Sequence, residues 1–109
     1  MELFSVTSYN GKQVTCSEEQ WNNHIAFNHK IMKNNVEAVK NTIIEPDSVY
    51  ESSQSPKREV YFKKSLIPTY KDKFFTKVIV EYKNNAGEVV TAFPQPTESG
   101  GIGNVVYKK

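Results

Sequence analysis

Residues 74–93 read FFTKVIVEYKNNAGEVVTAF, and this stretch decides the fold. Phe74 to Tyr82 is rich in β-branched and aromatic residues and reads as the most apolar strand. Asn84-Asn85-Ala86-Gly87 supplies turn chemistry, and Glu88 to Phe93 returns as a second strand. Toward the N-terminus, Arg58–Lys64 and Ser48–Glu51 keep a period of two and read as two more strands around a polar loop, Ser52 to Pro56. Toward the C-terminus, Pro94 and Pro96 are expected to stop the strand. Gly100, Gly101 and Gly103 mark a flexible loop, and Asn104–Tyr107 offers a last short edge strand.

Ahead of these strands the periodicity is helical. Ser17-Glu18-Glu19-Gln20 matches a capping box, with Trp21, Ile25 and Met32 at helical spacing, so a first helix is expected over about residues 18–29. A second, near 35–44, carries Val36, Val39 and Ile43 on one face; Asn35 is placed to cap it, and Pro46 ends it. Leu3–Val6 and Gln13–Thr15, around Asn10-Gly11, read as a small N-terminal hairpin. The expected fold is α+β: two N-terminal helices, then a roughly four-stranded antiparallel sheet, with a short hairpin in front.

The 109 residues suit one domain, at 38% hydrophobic and 24% charged. No apolar run approaches the roughly 20 residues of a bilayer span. The start Met1-Glu2-Leu3-Phe4-Ser5 lacks the n- and h-regions of a signal peptide, so a cytoplasmic address without a membrane partner is expected. The single cysteine, Cys16, excludes an internal disulfide and any zinc site of paired thiolates. Residues 1–54 carry a net charge of −3 and residues 55–109 one of +5, with the basic side concentrated between Lys57 and Lys83. A basic sheet is compatible with phosphate or nucleic-acid contact, although charge alone favours plain solubilising lysines on exposed strands and loops. No Walker A, Gly-x-Gly-x-x-Gly, Gly-x-Ser-x-Gly or Cys-x-x-Cys motif is present.

The order Trp21-Asn22-Asn23-His24-Ile25, His29, Ile44-Glu45-Pro46-Asp47, Arg58-Glu59-Val60-Tyr61-Phe62, Val78-Ile79-Val80 and Gly87 to Phe93 resembles a known group. It is similar to the phage and mobile-element nuclease families grouped with barnase, EndoU, colicin tRNases and RelE, the BECR fold. The resemblance covers about residues 17–95 and departs where His29-Lys30 stands in place of a frequent His-Pro. It implies two helices followed by a four-stranded antiparallel sheet, and metal-independent RNA cleavage to a 2′,3′-cyclic phosphate. The RNA would be tRNA, mRNA or rRNA, and no cofactor or metal is implied. A toxin of this type would also need an acidic antitoxin or immunity protein. A non-catalytic RNA- or protein-binding module of the same fold is the alternative.

Such cleavage needs proton-transfer groups and cations around the scissile phosphate. The histidines are His24 and His29, roughly 140° apart on an ideal helix, which does not suit a shared metal; they reach one pocket only if the helix ends before His29. Packing of His24 on Trp21 and helix capping by His29 are the structural alternatives. Arg58, the only arginine, suits phosphate binding. Tyr61 suits proton donation or stacking, but in a regular strand it points away from Arg58 unless a bulge intervenes. Thr91, in parity with Val89 and Phe93, offers a hydroxyl encouraged by the resemblance, and otherwise simple β-propensity. Lys63, Lys64 and Ser99 complete the candidates as substrate-binding residues.

Overall fold

The computed structural model describes residues 1–65 and 73–109, so the part of the basic stretch at residues 66–72 lies outside the described residues. The strands are β1 (Glu2–Thr7), β2 (Gln13–Ser17), β3 (Ser48–Ser52), β4 (Arg58–Lys64), β5 (Phe75–Lys83), β6 (Ala86–Gln95) and β7 (Ile102–Lys108). They form one seven-stranded sheet in the order β1-β2-β6-β5-β4-β3-β7. Strands β3 to β6 are the expected antiparallel meander. Its central turn uses Asn84 at a positive φ of 60°, which asparagine tolerates better than most residues. At Gly87 a Cβ would come within 2.7 Å of both the Tyr82 ring and Val80, so only glycine lets that ring lie across the strand pair.

The expected architecture of two helices and a four-stranded antiparallel sheet is therefore corrected to a seven-stranded mixed sheet. The N-terminal hairpin is not a separate ornament. Its second strand pairs parallel with β6 over Gln13–Thr15 and Ala86–Glu88, about seventy residues away in sequence. At the opposite edge β7 adds antiparallel to β3. Local periodicity reports that a strand exists, but not which distant strand it joins. Strand β6 also continues through Pro94 instead of ending at Phe93. Beyond Glu88 it is no longer accompanied by β2, so this stretch is an edge where a missing N–H is tolerated.

The first helical segment is α1 (Glu18–Gln20), a π turn (Trp21–Ile25) and α2 (Ala26–Asn28), followed by a 3-10 turn (Lys30–Met32) and α3 (Val36–Ile44). The Ser17 hydroxyl accepts from the Gln20 amide, as a cap should. The reciprocal half of the box is absent, because the Gln20 side chain donates instead to the Val90 carbonyl on the open edge of β6. Asn35 makes no side-chain cap; its amide donates to the Ile31 carbonyl.

All these helices cover one face of the sheet. Trp21, Ile25, Met32, Val39 and Ile43 pack there with Val49, Tyr61, Val78, Val80, Val89 and Ala92, and with Phe4, Val6 and Val14 of the hairpin. Among the described residues no helix covers the other face. Loop 96–101 crosses it on the way from β6 to β7, held by Lys77 below and by Glu98, which accepts from the Ser48 and Tyr50 hydroxyls. Among the described residues no helix is long and apolar enough to cross a membrane.

Cys16 sits in this core at 2% exposure, and burial pushes its thiol up to about 11. Its place just before a helix start does not activate it. An aromatic disulfide reagent is expected to leave it unmodified in the folded protein and to react fully once urea unfolds the chain. Fast labelling of the native protein would contradict this packing.

Candidate functional site on the open sheet face

Strand register decides which candidates meet. Strand β4 pairs with β5 without interruption from Arg58–Glu81 to Lys64–Phe75, so no bulge turns Tyr61 toward Arg58. Arg58, Val60 and Phe62 share the open face. Tyr61 faces the helices, fully buried, with its hydroxyl against the Tyr82 hydroxyl and 3.4 Å from Glu59 Oε1. Burial first, then the Tyr82 hydrogen bond, pushes its pKa far up. A phenol so placed cannot touch a ligand on the other face.

The irregularity lies instead between β5 and β6. Ile79 opposes Thr91 and Val80 opposes Val89, so Val90 is the extra residue. This corrects the expected parity of Thr91 with Val89: Val89 enters the core, while Thr91 and Phe93 share the open face with Ile79 and Lys77. A one-residue slip transfers a side chain to the other face, so the bulge brings Thr91 to the side of Arg58.

Arg58 stands at one end of that face, at the start of β4. Its Nε donates to Glu81 Oε1 at 2.9 Å, and its two terminal nitrogens have no hydrogen-bond partner among the described residues. Three recesses, of about 490, 710 and 290 Å³, all include Arg58 in their walls. The first runs past Glu81, Glu88 and Glu2 and is acidic in character. The third has Lys77, Ile79, Phe93, Gln54 and Gly100 as further walls. Its volume lies at the lower end of the about 300–1,000 Å³ typical of small-ligand pockets.

Lys77 was not legible as a site residue, although a lysine amid Val78-Ile79-Val80 is itself an anomaly. It is 4% exposed. Its ammonium donates to Gln95 Oε1 at 3.2 Å and to the carbonyls of Ser99 and Gly100 at 2.9 and 2.7 Å. It also lies 5.7 and 5.4 Å from the ring centres of Phe62 and Phe93. No carboxylate pairs with it among the described residues, and burial lowers its pKa. All three ammonium protons are spent on the loop and the strand end that leads into it.

The remaining candidates are dispersed. The helix ends at Asn28, and His29 leaves it at φ −132°, which lets its ring stack on Phe93 at 4.8 Å and 25°. Burial, then the charge of His24, lowers the His29 pKa below the usual imidazole value, which favours the neutral ring. His24 is exposed on the π turn, its Nδ1 3.4 Å from the Asn28 amide nitrogen. Lys63 donates at 2.7 Å to the Glu45 carbonyl at the end of α3, a capping contact. Lys64 is exposed, and its backbone amide donates to Asp47. Ser99 turns its carbonyl to Lys77 and its hydroxyl to Thr97 and Gln95.

Among the described residues no group of three or more His, Cys, Asp or Glu side chains is placed to hold a metal ion. No protein-family model, curated protein or solved structure matches the chain.

Proposed function

We propose that the protein is a binding module for single-stranded RNA, with the open sheet face as its binding surface. The observation that carries this reading is the Arg58 guanidinium. Glu81 holds it by Nε alone, so the terminal nitrogens are aimed and free, a fork that suits a phosphate. Beside it the smallest recess offers the half-buried Phe93 and Ile79 side chains to a base. Glu81 and Glu88 repel phosphate on the other side of Arg58, so the backbone of the RNA runs from Arg58 toward Phe93.

The test is fluorescence polarisation with a short labelled oligouridylate in EDTA. Arg58→Ala is expected to weaken binding about 10- to 100-fold, the range of a charge-assisted hydrogen-bonded contact, and Arg58→Lys to recover only part of it. Unchanged binding in Arg58→Ala would overturn the assignment.

The ribonuclease reading stays as a second proposal because the His29 ring backs the Phe93 wall of the same recess. It requires that the wild-type protein cut RNA in EDTA, and that His29→Ala and Arg58→Ala both abolish cutting. An acidic antitoxin belongs to that reading alone. A folded protein that neither binds nor cuts RNA would point to a protein-binding role.

A further inference from the structure

The helical layer carries an aromatic side chain that the core does not use. Phe27 is 73% exposed on α2. It forms one wall of a recess of about 350 Å³ with Ala26, Asn22, Lys30 and Lys33. Both lysines lie outside the core, and neither has an ion-pair partner among the described residues. A single exposed phenyl ring is ordinary on a protein surface. Here the ring shares a recess with two lysines, and among the described residues no acid lines it. The recess shares no wall with those of the open face, but Lys30 follows His29 directly in the chain, and the His29 ring lies on Phe93.

We infer that Phe27 is a stacking platform for an unpaired RNA base, with Lys30 and Lys33 contacting the flanking phosphates. It would be a second contact on the strand that leaves Arg58 past Phe93. An aromatic face beside cations is the combination that holds single-stranded nucleic acid without sequence readout. The site rests on the RNA-binding reading, but on different residues from those that carry it. Because the Phe27 side chain is exposed, its removal takes nothing from the core.

The test measures binding of the same labelled oligouridylate by the full chain. Phe27→Ala is expected to weaken it about 5- to 150-fold, the span of one stacked base. In Phe27→Trp, the new indole should be quenched on RNA addition against the constant background of buried Trp21. Replacing both Lys30 and Lys33 by alanine should flatten the dependence of log affinity on log salt by about 1.4, two single-strand phosphate contacts. If Phe27→Ala binds like the wild type while Arg58→Ala is weakened, this site is overturned and the open-face reading stands. The reverse result keeps the platform and removes Arg58. Absence of RNA binding by the wild type overturns both. An indole emission in Phe27→Trp that responds to protein concentration and not to RNA overturns the platform as well, and would make this face a contact between copies.

Discussion

Lys77→Ala is expected to lower the stability of the folded chain by about 2–4 kcal/mol and to release loop 96–101 from the sheet. The lysine gives three hydrogen bonds from a charged donor to Gln95, Ser99 and Gly100, each of a kind worth about 1.5–3 kcal/mol when its acceptor stays buried. Part of that is returned when the freed carbonyls find water, while the cavity between Phe62 and Phe93 adds to the loss. Lys77→Met separates the two contributions. It refills the space and removes a buried cation that is costly to desolvate, so the equilibrium loss should be smaller than for alanine. The loop should be released in both variants, because methionine offers its carbonyls no donor. Urea unfolding midpoints measure the first effect, and amide hydrogen exchange over residues 96–101 measures the second. Loop protection equal to wild type in both would show that Glu98, through Ser48 and Tyr50, holds the strap unaided.

Stability is expected to fall steeply as pH rises above about 10. Three tyrosines meet at the edge of the helix-side core, Tyr9 against Tyr61 at 5.9 Å and Tyr61 against Tyr82 through their hydroxyls. Burial raises the pKa of all three, Tyr9 to about 12 and Tyr61 well beyond. Each raised phenol contributes stability that is fully present below its unfolded pKa near 10. The contribution is lost as pH rises from there through the folded value, because the unfolded chain ionises first and binds fewer protons. The loss is about 1.4 kcal/mol per pH unit for each phenol the fold keeps neutral. Lys77 acts in the opposite sense. Its lowered folded pKa makes stability rise as pH climbs toward about 10.5, and above that it adds no further change. Urea midpoints between about pH 9 and 12 should therefore drop, and the drop should be shallower in Tyr61→Phe, which has no phenol to ionise. A profile as steep in Tyr61→Phe as in the wild type would remove Tyr61 from this account.

The elements themselves were legible wherever their cause is local. The turn at Asn84-Asn85, the strand Arg58–Lys64 and the helix before Pro46 follow from turn chemistry, alternation and proline sterics within a few residues. The Ser17 cap was readable for the same reason; the diversion of Gln20 to Val90 was not, because its partner lies seventy residues on. Of the candidate site, Arg58 stood out by its chemistry, and the alternation of β4 already set Tyr61 against it. The face of Thr91 was misread, since a bulge depends on how two strands fit and leaves no mark in the spacing of one.

The sequence by itself determined the approximate position of most strands and of the helix before Pro46, that one thiol stands alone, and that the chain's only guanidinium sits at the start of a strand. Only the tertiary structure decided that the N-terminal hairpin joins β6 in parallel and that β7 closes the far edge. It alone also placed a buried lysine in hold of the loop above the open face. The physical reason is range. Backbone preference and side-chain periodicity act over a few residues, whereas pairing, burial and the neighbours of a charge are set by segments that meet only when the whole chain has folded.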